Sequence, residues 1–278
     1  MAIEIIPAAR FTVQELVDLY NQTRVDYLVP MPMNAERLAE YIHIFDIDLN
    51  LSCVARAGDG QVLGLSMLGV RPPWAWITRL GVLPAIRRSG AGSALMDAML
   101  AHAQALGMDE AHLEVIRNNV PAHRLFLKKG FKEVSEYLVL RRAPHSVPEP
   151  TKCSTVWLDR EAALGALESY PKHLTWITAL DSMRNAQDLS GVRVELANGS
   201  CGWLVFRYHK FFLSHLVFHT EQGSPVKIGI QLLVNLYSHY PRHDTYAENI
   251  YVEDPHLPAL LGMGFFDNFR RIEMRRKM

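Results

Sequence analysis

The chain has 278 residues, room for two domains of ordinary size, and 49% of them are apolar, enough for a core in each. Lysine plus arginine equals aspartate plus glutamate, at 29 each, so no net charge draws the chain toward nucleic acid or an anionic membrane. The three scattered cysteines, Cys53, Cys153 and Cys201, read as reduced core thiols, and without a leader or a membrane-length apolar run the expectation is a cytoplasmic protein.

The first half alternates strand and helix signals. IEIIP is a short opening strand, FTVQELVDLYNQTR a helix with Leu16, Leu19 and Tyr20 on one side, and AERLAEYIHIF a second helix. LSCVARAGDG and QVLGLSMLGV form a hairpin about Gly58-Asp59-Gly60. WITRLGVLP is the next strand. A helix follows over 93–106, with Leu95, Met99, Ala103 and Leu106 as its stripe and Gly107 as its stop. HLEVI is a strand. Asn119 then caps a helix that tolerates Pro121 in its first turn, and Gly130 ends it. EYLVLRR closes the half.

The proline-rich stretch 143–152 is expected to be an extended linker between domains at 1–142 and 153–278. The second half repeats the ending of the first. AHRLFLKKGFKEVSEYLVLRR faces HLPALLGMGFFDNFRRIEMRR, and Gly130-Phe131, Arg141-Arg142 and Glu114 match Gly264-Phe265, Arg275-Arg276 and Glu248 at one constant offset. The chain therefore reads as two copies of one fold.

RRSGAG, residues 87–92, lies between the WITRLGVLP strand and a helix. The first amides of a helix have no internal partner, and the helix dipole adds partial positive charge there. Glycines let an anion approach, each dipole contact contributing roughly 0.3–1 kcal/mol. Arg87 and Arg88 add charge. The stretch reads either as a phosphate cradle or as an ordinary strand-to-helix turn. It has neither the GxxxxGK[ST] pattern of a nucleotide triphosphate loop nor GxGxxG after a first strand.

VLPAIRRSGAG followed by LEVIRNNVPAHRLFLKKGF resembles the two signatures of the GNAT acetyltransferase family, in order and at its spacing, well over residues 2–142 and faintly over 153–278. The resemblance implies an α/β fold (an α+β mixed sheet) built as two tandem domains, each a mixed, mostly antiparallel sheet flanked by helices. It implies acetyl-CoA as cosubstrate. Its pyrophosphate would lie on Arg87, Arg88, Ser89, Gly90, Ala91, Gly92 and Ser93, and its pantetheine along Leu80, Gly81 and Val82, with a further contact at Asn119. Arg124 and Lys128 either neutralise the 3′-phosphate or are solvated helix charges. The Val82 amide would polarise the thioester carbonyl. Glu114 is either the general base or a strand residue that faces solvent or pairs with a nearby arginine. The family often has a tyrosine acid where this chain has Phe126. Tyr137 or a water then supplies the proton, the thiolate leaves without one, or the domain mainly binds its cofactor.

The expected activity is acetyl transfer to a primary amine of a small molecule or peptide by direct attack. The alternative is a non-catalytic acetyl-CoA-binding or regulatory module, and a longer or tRNA-borne acyl donor is a third reading. The segment 22–50 would build the acceptor site, its Asp26, Glu36, Glu40, Asp46 and Asp48 either holding an amine cation or charging the surface. In the second half EQGSPV replaces the loop, with Glu221 for a basic residue and Pro225 lacking an amide, and Glu253 replaces Asn119. That copy is expected not to bind the cofactor. His215, His219, His239 and His243 lack a metal-ligand pattern, HLVFH reading as a strand, so no metal is expected. FRRIEMRRK reads as a charged outer strand, with Ile272 and Met274 inward. No nucleic-acid or membrane partner is expected, and the sequence does not give the oligomeric state.

Overall fold

The computed structural model describes residues 2–149, 152–171 and 174–278, so Pro150 and Thr151 of the expected linker lie outside the described residues. In chain order the first half holds β1 (Ile3–Pro7), α1 (Val13–Gln22), α2 (Ala35–Ile44), β2 (Cys53–Ala57), β3 (Val62–Arg71), β4 (Trp74–Val82), α3 (Ala91–Ala105), β5 (Glu110–Ile116), α4 (Val120–Lys128) and β6 (Lys132–Arg142). The second holds β7 (Cys153–Leu158), α5 (Arg160–Glu168), α6 (Leu180–Asn185), β8 (Leu189–Leu196), β9 (Cys201–Tyr208), β10 (Phe212–Gln222), α7 (Pro225–His239), β11 (Asp244–Tyr251), α8 (Leu257–Gly262) and β12 (Phe266–Lys277).

Local chemistry sets the helix ends. Thr12 and Glu15 form a capping box at α1, and the Asn34 and Asn119 side chains accept from Arg37 N and Ala122 N at the starts of α2 and α4. Gly107 and Gly130 follow α3 and α4 with φ of 67° and 85°, the left-handed region that suits glycine beyond a helix end.

Two compact units form, 1–135 with 272–278, and 136–271. In the first, β1, β2, β3 and β4 run antiparallel to their neighbours, β5 joins β4 in parallel, and β12 lies beside β5. In the second, β7, β8, β9 and β10 repeat the antiparallel run, β11 joins β10 in parallel, and β6 lies beside β11. Each sheet is mixed, mostly antiparallel and flanked by helices.

The units differ from the boundaries 1–142 and 153–278 in one respect: the two copies have traded closing strands. Met274 is fully buried in the first core with Leu95, Met99, Leu113 and Phe131. Leu138 and Leu140 lie in the second core with Leu204, Phe218 and Leu232. The physical reason is equivalence: EYLVLRR and RRIEMRR occupy matching places in the two copies and carry the same inward apolar pattern.

β12, the strand that carries FRRIEMRRK, lies beside β5. Its arginines are accommodated because each has an oxygen partner. Arg270 meets Asp267 and Glu136, Arg271 meets Glu248 and Asn249, Arg275 meets Glu273 and Glu110, and Arg276 donates to Lys129 O at 2.8 Å. No helix among the described residues is long and apolar enough to cross a membrane. Cys53, Cys153 and Cys201 are free thiols, and burial pushes Cys53 up to about 11.

Candidate functional site

β4 and β5 pair only at their beginnings, Trp74–Trp76 with Glu110–His112, and then part. β4 carries a bulge at the parting, where register shifts between Leu65 and Met67 and Arg79 takes φ 56°. Beyond it Leu83 N donates to Leu63 O, and a Cβ on Gly64 would strike the Gly81 carbonyl, so the odd positions face β3. By strand alternation the amide and carbonyl of Val82 and the carbonyl of Leu80 face the opening. Arg24 Nη2 donates to Leu80 O and Arg87 Nε to Val82 O, both at 3.4 Å.

The opening leads to the start of α3. Pro84–Ile86 makes a 3-10 turn, and Arg87-Arg88-Ser89-Gly90 follows, with Arg88 at φ 70° and Gly90 at φ 97°. Ala94 N donates to Gly90 O, the first rung of the helix, so the Gly92 and Ser93 amides stand ahead of the ladder. Ala91 N meets Ser89 Oγ at 3.4 Å, a long contact. Ile3 Cδ1, at 3.8 Å, is what a Cβ on Gly90 would touch. Residues 87–90 are exposed. This open, glycine-turned helix N-terminus fits an anionic group such as a pyrophosphate. On α4, Arg124 and Lys128 stand one turn apart, both exposed, with no ion-pair partner among the described residues.

One predicted phosphate ligand is engaged elsewhere. Arg87 forms a two-pronged ion pair with Asp26 at 2.7 and 2.6 Å and also donates to Thr23 O. That hydrogen bond holds the Asp26 carboxyl below its ordinary value. The acids of segment 22–50 are thus largely spent. Asp26 binds Arg87, Asp46 binds Arg71 at 2.6 Å, Asp48 accepts from the Asn50 and Leu51 amides, and Glu36 and Glu40 are exposed on α2.

Glu114, midway along β5, accepts from Trp76 Nε1 at 2.8 Å. Around that pair lie Tyr41 of α2 and Phe45 at its C-cap, with ring centroids 6.1 and 5.8 Å from Trp76. The Tyr41 hydroxyl bonds Thr78 Oγ1 at 2.7 Å, and burial pushes its phenol up. Residues that pattern reasoning missed come from the turn after α1. Arg24 lies over the Tyr20 ring at 4.1 Å and donates to Leu80 O, while Tyr27 OH accepts from Asn119 Nδ2 at 3.4 Å. One short segment thereby touches β4 and the cap of α4.

Phe126 is a core residue: it is 5% exposed and packs edge-on against Phe131 at 6.2 Å. Tyr137 lies in the second unit, buried, with its hydroxyl 3.4 Å from that of Tyr251.

The second unit reproduces the frame without the loop. β10 and β11 pair at Phe212–Ser214 and part, and His215 at φ 54° marks the matching bulge. Between β10 and α7 stand only Gly223 and Ser224, where the first unit has Leu83 to Gly90. Ser224 Oγ caps Lys227 N, Pro225 opens the helix, and a Cβ on Gly223 would strike the Ser200 side chain. Glu221 is paired with Arg193 at 2.8 Å. Among the described residues no group of three or more His, Cys, Asp or Glu is placed to hold a metal.

The family model described as "Acetyltransferase (GNAT) family" matches residues 14–131. A mycothiol acetyltransferase from Clavibacter michiganensis subsp. michiganensis is 36% identical over 96 residues, 34% of this chain and 31% of its own. The chain thus spans about a third of that relative's length. Among solved structures, a GCN5-related N-acetyltransferase from Sphaerobacter thermophilus is similar at a TM-score of 0.71 and 15% identity, over 99% of this chain and 95% of that one. A tandem GNAT protein from the clavulanic acid biosynthesis pathway is similar at 0.69 and 16%, over 99% and 98%.

Proposed function

Taking as premise that the chain belongs to the GNAT acetyltransferase family through residues 14–131, we propose that its first unit transfers an acetyl group from acetyl-CoA to a primary amine. The observation that carries the reading is the continuity of the β4 opening with the glycine-turned start of α3. An extended donor with an anionic end fits such a track: strand-like pairing for its amides, helix amides for its phosphates. Leu80, Gly81 and Val82 line the track. Arg88, Ser89, Gly90, Ala91, Gly92 and Ser93 close over the pyrophosphate, with Asn119, Arg124 and Lys128 on the α4 side. Arg87 joins them once Asp26 releases it.

The donor supplies an activated acetyl thioester. The Val82 amide, on the open side of β4, donates to the carbonyl oxygen as negative charge builds there. Glu114 takes a proton from the attacking amine, directly or through a water, with the Trp76 indole fixing the carboxylate. A C–N bond forms, the C–S bond breaks, and the thiolate leaves with a proton from a nearby donor or from solvent. Tyr27 beside Asn119 is our candidate donor, since Phe126 has no hydroxyl and is enclosed by core. The acceptor is a small-molecule or peptide amine.

Phe126 also favours a second reading, in which the unit binds acetyl-CoA without turnover. Titration calorimetry with acetyl-CoA, followed by free-thiol release across an amine panel, separates the two. Binding with amine-dependent thiol release is expected. Binding without release above hydrolysis gives the second reading, and no binding overturns both.

A further inference from the structure

The segment expected to hold an amine cation with acids instead presents a cation of its own. Arg24 stands where the turn after α1 crosses β4. Its Nη1 donates to Thr23 Oγ1 at 3.0 Å and its Nη2 to Leu80 O at 3.4 Å, the second a long contact, while Nε is buried with no hydrogen-bond partner. It lies over the Tyr20 ring at 4.1 Å and beside Tyr27 at 5.2 Å. Among the described residues it has no carboxylate within ion-pair distance. The acid two residues away, Asp26, has turned both oxygens to Arg87.

A second guanidinium shares the place. Arg79, held at φ 56° in the β4 bulge, donates to the Tyr20 hydroxyl at 3.1 Å and lies over Tyr41 at 4.3 Å. Burial and then the Arg79 charge push Arg24 below its ordinary value, with the Tyr20, Tyr27 and Tyr41 phenols opposing the shift. Phenol faces and two neutral oxygens offset only part of the cost of burying that cation. Non-glycine residues at positive φ are strained and cluster at ligand clamps. A bound carboxylate would take the unpartnered Nε hydrogen together with a hydrogen of the adjacent Nη, in the forked geometry arginine favours.

The place along β4 sorts the ligand. With the phosphates at Arg88–Ser93 and the donor's extended arm along Leu80–Val82, Arg79 lies past the end of that arm away from the phosphates, toward the acceptor. We propose that Arg24, with Arg79, seats a carboxylate carried by the acceptor, which is therefore an amino acid or another amine bearing a carboxylate. This rests on the acetyl-transfer reading of the same site.

Two measurements test it apart from that reading. Calorimetry of the full chain without acetyl-CoA uses N-acetyl amino acids, the product class, against the same compounds as carboxamides. At least one N-acetyl amino acid is expected to bind more tightly than its carboxamide by about 10- to 100-fold. Arg24→Gln abolishes the difference, and Arg24→Lys restores part of it. Equal binding of acids and carboxamides, no binding of either, or a preference that survives in R24Q overturns the seat. Titration with acetyl-CoA in the same samples tests the broader reading, and R24Q is expected to leave that affinity within about twofold. Thermal melts confirm that each variant folds. Thiol release is then compared for acetyl-CoA and succinyl-CoA. An Arg24-dependent preference for succinyl-CoA would give the carboxylate to the donor and overturn the assignment to the acceptor.

Discussion

A methyl group on Gly81 would run into Thr23 Oγ1 and the Arg24 guanidinium, so this glycine is what lets the turn after α1 lie against β4. Gly81→Ala is expected to lower stability by about 1–3 kcal/mol and to disturb the seat of Arg24, read as a fall in melting temperature with weaker acceptor binding. Glu114→Gln keeps the shape and the Trp76 contact but removes the proposed base. Loss of amine-dependent turnover by about 10²–10⁴-fold is expected, with acetyl-CoA affinity held, and an unchanged rate would remove Glu114 from the mechanism. Asp26→Asn frees Arg87 for the phosphates, so acetyl-CoA should bind several-fold more tightly, about 3- to 10-fold at low salt, and calorimetry reads the sign directly. These residues differ in how far the sequence reveals them. Gly90, Asn119 and Glu114 sit in short patterns whose chemistry is local. The Arg87–Asp26 pair joins positions 61 apart, and Arg24 among five acids gave no pattern, so only the packed turn exposes either.

At the level of elements, the loop before α3 and the loop before α7 begin from one plan and end differently. The residues Leu83 to Gly90 leave helix amides facing outward, whereas Ser224 and Pro225 close the second helix with a side-chain cap and an imide. Aligned sequence shows the proline and the lost arginines but not the missing length, because the shortening is hidden within an otherwise constant offset. The matching bulge in β10 holds His215 instead of Arg79. Burial, and then the Arg207 charge, push its imidazole from 6.5 down to about 4. The unfolded chain binds that proton more readily, so the second unit's stability is full above about pH 6.5 and falls as pH drops toward 4. Denaturant melts of the wild type across that range should slope accordingly, and His215→Asn should flatten the slope. On β12, Met274→Ala is expected to destabilise the first unit by about 2–5 kcal/mol, although the residue comes from the far end of the chain.

For the molecule as a whole, the two-copy plan and the succession of strands and helices in the first copy were readable, because hydrophobic alternation, turn glycines and the repeat at constant offset are all sequence properties. The trade of closing strands was not. Two strands that match in position and pattern fit either sheet, and nothing within either strand names its partner. Cutting at the proline-rich stretch therefore differs from cutting at the units. A chain of residues 1–142 lacks Met274 and should be poorly soluble or open at the β5 edge. Residues 1–135 joined by a flexible linker to 272–278 should fold and bind acetyl-CoA. A soluble, acetyl-CoA-binding 1–142 fragment would show that β6 can close the first sheet as well.

The borrowed strand also sets an order of events during synthesis. The ribosome releases the loop, Glu114 and α4 early, yet the sheet that carries them lacks its last strand until residues 136–271 have been made. A nascent first unit must wait with the β5 edge bare, the kind of edge that invites stray pairing. A message cut short anywhere between Lys128 and Ile272 would encode every candidate site residue and still lack the strand that closes the first sheet. Completion of β12, rather than of the stretch that holds the candidate site, is the step that closes the sheet of the first unit.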